Sequence, residues 1–203
     1  MVFNSFLSFL STHYQHFGWM GSLVILLGSL LSGLVYSGKS SEKYSILNHY
    51  ISELGEIGVA KRAWAFNTGM IVGGTLFLPF IAGLGLSLSS WTGWAGMAAG
   101  LLAAVSSVFV GIFSMERMEP HRKAAMTFFR SGLVTILFFT IAVFLQPAAQ
   151  RTIPLAVNII GIAAIACYSA FLLIVDLKNA EKNEENQNLD PTEEKERPRF
   201  WRT

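Results

Sequence analysis

Residues 133–145 read LVTILFFTIAVFL and residues 159–175 read IIGIAAIACYSAFLLIV. Neither run holds an Asp, Glu, Lys, Arg or His. A helix in a soluble core keeps a polar stripe for water, whereas these two are apolar nearly all the way round. Extended to their natural limits, they are long enough to cross the roughly 30 Å hydrocarbon layer, which takes about 20 residues as a helix. Working outward along the chain, five stretches meet that criterion: about 17–36, 64–86, 92–114, 124–145 and 153–175. Four contain no Asp, Glu, Lys or Arg, and the fourth in order contains only Arg130.

The composition agrees. Of 203 residues, 52% are hydrophobic and 14% charged, against about 25% charged in a soluble domain. Fifteen Lys and Arg oppose thirteen Asp and Glu, too even a balance for a nucleic-acid partner. The single cysteine, Cys167, excludes an internal disulfide framework and a Cys-based zinc site. The expected fold is an all-α integral membrane protein, a five-span antiparallel bundle. Short connections at 87–91 and 146–152 make their flanking helices antiparallel neighbours. Two parts are expected: a transmembrane domain over 1–175 and a charged, disordered tail over 176–203. The tail ends in RPRFWRT, a basic and aromatic stretch suited to anionic headgroups.

No Lys or Arg precedes residue 39, so the basic region of a cleaved signal peptide is missing. Residues 2–16 read as an N-terminal interfacial helix or an extension of the first span. Five spans put the loops 38–63 and 115–123 and the tail on one side, with 14 of the 15 bases counting Arg130; Arg151 is the other. The positive-inside rule then places the N-terminus outside and the tail in the cytoplasm of a cell-membrane protein. Trp19, Trp91 and Trp94 mark the outer interface, and Tyr36 and Trp64 the inner one. Gly69-x-x-x-Gly73 and Gly96-x-x-x-Gly100 suit close helix packing within the bundle, a homodimer face being the alternative.

The polar residues concentrate in two loops. YSILNHYISELGEIG (44–58) places Ser45, Asn48, His49, Ser52, Glu53 and Glu56 within about 140° of a helical wheel. The pattern predicts an amphipathic helix between spans 1 and 2, ended by Gly55. Ser45, His49 and Glu53, at i, i+4 and i+8, would share a face. The second cluster, 114–130, brings Glu116, Glu119, His121 and Arg130 to the same side, with Pro120 in the first turn of its helix. An arginine about two turns inside a span must snorkel or pair.

Three functions fit these residues. The first is a non-enzymatic lipid-headgroup or ion site built from Ser45, His49, Ser52, Glu53, Glu116, His121 and Arg130, with membrane lipids as partners and no cofactor. The second is a membrane-embedded hydrolase of lipids using a metal on His49, Glu53 and His121. A Ser52–His49–Glu53 triad is strained by having all three on one short helix. The third is a small transporter, with Asn67, Ser107, Arg130 and Asn158 lining a polar path.

The order of motifs also resembles a known family. Tyr44-Ser45-Ile46-Leu47 leads to Ile51-Ser52-Glu53-Leu54-Gly55, and the second span opens with Phe66-Asn67-Thr68-Gly69. The third span ends in Gly111-Ile112-Phe113; His121, Ala124-Ala125 and Phe128-Phe129 open the fourth. Over residues 17–175 this resembles the prokaryotic membrane proteins catalogued as domain of unknown function 998. It is more distantly similar to the damage-regulated autophagy modulator group, which has Asp where this chain has Glu53, and six spans with that loop on the luminal or exterior side. The resemblance implies a polytopic, lipid-related membrane protein and assigns no catalytic residue.

Overall fold

The computed structural model describes residues 2–151 and 153–188. Five long α-helices follow one another: α1 (Val2–Gly33), α2 (Ala63–Leu88), α3 (Trp91–Ile112), α4 (Met118–Leu145) and α5 (Val157–Asn188). Each contains a window long and apolar enough to span a membrane, and there is no strand among the described residues. The chain divides into two units, residues 1–165 and 166–203. In the first, α2 packs on α1 and on α3, and α3 packs on α4. In the second, α5 stays helical to Asn188.

The packing differs from that of a soluble core. The largest fully buried side chains are Thr92, Ser32 and Ser107, while Leu34, Trp19, Ile159 and Ile160 are each more than 70% exposed. Lipid tails are as apolar as leucine, so nothing drives large apolar side chains inward, and close backbone approach through small residues holds helices together instead. A Cβ on Gly28 of α1 would stand 2.5 Å from the Ala65 carbonyl oxygen of α2, and one on Gly69 would stand 3.5 Å from Gly28 Cα. One on Gly100 of α3 would press on Ile81 of α2 at 2.7 Å and on Thr135 of α4 at 3.0 Å. Both glycine pairs thus pack within the bundle. Several hydroxyls inside the spans return to their own helices: Ser29 to Ile25 O (2.8 Å), Thr75 to Ile71 O (2.8 Å) and Thr135 to Ser131 O (2.7 Å). This satisfies them where no water is present.

Of the two readings of residues 2–16, the extension of the first span is the one seen, as a continuous part of α1. Two other expectations are modified. The tail begins as helix: α5 runs past residue 176 to Asn188. Extending an existing helix carries no nucleation cost, and AEKNEENQ (180–187) is rich in helix-favouring Ala, Glu, Lys and Gln. Residues 189–203, including RPRFWRT, lie outside the described residues. Between α1 and α2 there is no α-helix over 44–58. There is a turn at Ser45–His49 and a 3-10 helix, Ile51–Gly55.

Candidate functional site

The α1–α2 loop folds back between the ends of the two helices that carry it. Ser32, the penultimate residue of α1 and fully buried, donates its hydroxyl to Leu54 O at 2.6 Å. Asn67, in the second turn of α2, donates its amide to Gly55 O at 3.0 Å. These two bonds seat the C-terminal end of the 3-10 turn against both helices, while Tyr50, extended at φ −73° and ψ 144°, separates that turn from the one before it. Leu54 joins a buried apolar cluster with Tyr36, Ala60, Ala63, Phe66, Met70 and Val110. Ala124 and Ala125 of α4 pack against the same cluster, so the two polar loops share one end of the bundle and one apolar base.

Glu53 works inside this loop. Its carboxylate accepts from the Tyr50 amide at 2.8 Å, fixing the start of the 3-10 helix, and from the Tyr36 hydroxyl at 3.1 Å. Burial, then the bond to Glu53 and the nearby carboxylate charges, push the Tyr36 hydroxyl far above the ordinary tyrosine range. Burial and the Glu53 charge also raise Tyr44. His49 lies against both rings: centroids are 5.3 Å apart with Tyr36, edge-on, and 5.7 Å with Tyr44, stacked. His49 Nδ1 lies 3.1 Å from the Ser45 amide and 3.3 Å from the Ser45 carbonyl oxygen, and its Nε2 points at Glu42 from 3.7 Å. Amide hydrogen bonds from its own backbone and from Ser40 hold Glu42 below the ordinary carboxylate range. Lys39 pairs with Glu56 at 3.0 Å.

Ser45 and His49 therefore meet, but through the Ser45 backbone rather than its hydroxyl, and Tyr36 stands between His49 and Glu53. Tyr36 reads from sequence as a membrane-interface anchor. It is 6% exposed and joins the two residues. No hydrogen bond links Ser52 to His49 among the described residues, so the Ser52–His49–Glu53 triad does not form.

The second loop is held separately. His121 is buried and its Nδ1 lies 2.7 Å from Phe113 O. A carbonyl only accepts, so Nδ1 carries the proton, and the imidazole ties the start of α4 to the end of α3. Glu116 is exposed. Among the described residues no three His, Cys, Asp or Glu are grouped to hold a metal, which corrects the His49–Glu53–His121 ligand set. Each member is turned to a different local partner. The transporter path does not assemble either. Asn67 bonds Gly55 O and Ser107 bonds Met70 O at 3.4 Å. Arg130 is exposed on α4, and Asn158 begins α5 at the opposite end of the bundle from Asn67.

One feature escaped the sequence reading. Between α3 and α4, at the end carrying both loops, a shallow groove of about 360 Å³ is lined by Ser106, Phe109, Phe113, Pro120, Lys123, Ala124 and Thr127. Lys123 stands at its edge with its side chain 79% exposed, 3.8 Å from Glu119. The spacings 106, 109 on α3 with 113 just past its end, and 120, 123, 127 on α4, are the i, i+3, i+7 signal of two facing stripes.

No curated protein and no solved structure matches the chain, and the likeness to the damage-regulated autophagy modulator group is carried by no match. A family described as "Protein of unknown function (DUF998)" matches residues 20–188, which takes in α2 to α5 and the C-terminal part of α1. The chain is a multi-helix membrane protein of the DUF998 family.

Proposed function

We propose that the protein is a non-enzymatic component of the cell membrane that holds an anionic lipid in the groove between α3 and α4. The observation that carries this reading is the groove's chemistry. Phe109, Phe113 and Pro120 give an acyl chain an apolar wall, and Lys123 gives a phosphate a cation at the rim. Arg130 lies seven residues further along α4, about 20° from Lys123 around the helix, where an arginine within a span reaches toward the headgroups. The excess of bases on this side supports a cytoplasmic orientation for both loops and the tail. A non-catalytic role is supported by the engagement of His49, Glu53 and His121 in bonds that hold the loops. No observation favours the metal hydrolase or the transporter.

The test is native mass spectrometry of the protein released from nanodiscs containing phosphatidylglycerol and phosphatidylcholine. Phosphatidylglycerol should be retained preferentially. A basic side chain near a membrane surface contributes about 1 kcal/mol to anionic lipid binding, so Lys123→Gln should weaken retention about fivefold. Equal retention of the two lipids, or retention unchanged in Lys123→Gln, overturns the reading.

A further inference from the structure

The α1–α2 loop presents large apolar side chains to the outside of the protein: Ile46, Leu47, Tyr50, Ile51 and Ile57, each more than half exposed. Their depth is fixed by the hydrogen bonds already described. Leu54 O is tied to Ser32, one residue from the end of α1, and Gly55 O to Asn67. Asn67 is three residues further into α2 than Trp64, hence about 4.5 Å along the helix axis. Trp64 is itself exposed in the first turn of α2, where tryptophan sits at the membrane–water boundary. The carbonyls of Leu54 and Gly55 therefore lie at the level of the spanning helices, not above them. A 3-10 helix rises about 2 Å per residue, so Ile51 and Tyr50 stand within about 8 Å of that level. The turn bearing Ile46 and Leu47 is held beside them through His49, packed on Tyr36 just beyond the end of α1.

Charge is sorted in the same sense. Glu53 faces Tyr36 and the Tyr50 amide, Glu56 faces Lys39, and Glu42 is turned to the Ser40 amide. Lys43, Lys61 and Arg62 are exposed. Glu53 and Glu56 are thus held against the loop's own frame, while Lys43, Lys61, Arg62 and the apolar groups, along with Glu42, are exposed.

We propose that this loop is a membrane wedge: Ile46, Leu47, Tyr50, Ile51 and Ile57 insert at the boundary between headgroups and acyl chains of the protein's own bilayer. Lys43, Lys61 and Arg62 meet anionic phosphates around them. The wedge is independent of the α3–α4 groove.

The experiment places single spin labels in the full chain carrying Cys167→Ser, the chain's one cysteine, reconstituted in phosphatidylcholine vesicles with and without phosphatidylglycerol. Labels go on Leu47→Cys and Ile51→Cys, with Leu30→Cys as a lipid-facing reference and Glu116→Cys as an aqueous one. Leu47 is 94% exposed and makes little packing contact to lose; melting temperatures verify that each variant folds. Collision rates with oxygen and with a water-soluble nickel chelate are read by power saturation. The expected result is that the labels at 47 and 51 side with 30, oxygen-accessible and nickel-shielded, and lie deeper when phosphatidylglycerol is present. Nickel accessibility equal to that at 116 overturns the proposal. So does shielding from both reagents, which would mean that protein covers the loop.

Discussion

Replacing Gly55 by alanine tests the seating of the α1–α2 loop most directly. The structure shows what a methyl group there would meet: the Asn67 side-chain oxygen in outright overlap, Phe66 Cδ1 at 2.7 Å and Asn67 Cγ at 3.2 Å. Ordinary carbon contacts begin near 3.5 Å, and both neighbours are more than 90% buried. Gly55 is not among the positive-φ residues, so the backbone itself accepts alanine and the whole cost is steric. Overpacking of this kind costs about 1–3 kcal/mol. If Asn67 swings aside instead, Gly55 O and the amide lose their bond in a buried setting, again about 1–3 kcal/mol. By either route a cost of about 1–3 kcal/mol is expected for Gly55→Ala, read as a lowered unfolding midpoint in detergent titration. In an Asn67→Ala background the same change should cost less, because the worst clash is gone and the bond is already lost, leaving only Phe66. A Gly55→Ala protein with the midpoint of the parent, or a cost undiminished by Asn67→Ala, would refute the wedged loop.

Other outcomes follow from single contacts. Tyr36→Phe removes a hydrogen bond to a carboxylate and should cost about 1.5–3 kcal/mol, seen as a lower midpoint at neutral pH. The raised hydroxyl of Tyr36 also sets a sign. Its folded-state value exceeds the unfolded one near 10, so its stabilisation is complete below pH 10 and lost as pH climbs above that. Tyr36→Phe should therefore show a shallower alkaline decline than the parent. His121→Ala leaves Phe113 O without its partner and should lower stability by about 1–3 kcal/mol, while added zinc should leave the melting temperature of either protein unchanged. Ser90→Ala deletes the cap bond from Gly93 N, 3.0 Å, and should cost about 1 kcal/mol in the same unfolding assay.

How much of this was legible in the sequence depended on whether the signal was local. Span number and order follow from run lengths such as 133–145, because the bilayer thickness acts as a ruler that each segment meets alone. Gly69 and Gly73 were readable as packing residues for the same reason. The loop was not, since its seating is decided by Ser32 and Asn67 reaching in from outside it. Residues 44–58 have helical periodicity, but Tyr50 is extended and its amide is taken by the Glu53 carboxylate, which splits the segment into a turn and a 3-10 helix. Tyr36 was misread because tyrosine at a span edge normally faces headgroups, while its partner, Glu53, is 17 residues away. His121 was placed correctly at the start of α4, but its bond to a carbonyl eight residues earlier depends on a turn that composition does not specify.

The interior of small side chains changes which mutations this protein tolerates. In a soluble domain the most damaging core changes are truncations that leave cavities. Along the glycine seams at Gly28, Gly69 and Gly111 the facing groups are mostly backbone, so truncation there has little volume to remove, unlike in the buried cluster around Leu54, Phe66 and Met70. Enlargement is another matter: α1, α2 and α3 meet almost backbone to backbone, and one added methyl on Gly28 or Gly111 would strike a main-chain oxygen of α2 at 2.5 Å. Tolerance should be one-sided along these seams, with additions excluded and deletions passing nearly unnoticed. A deep mutational scan would then trace the helix contacts as lines where only glycine, alanine and serine survive.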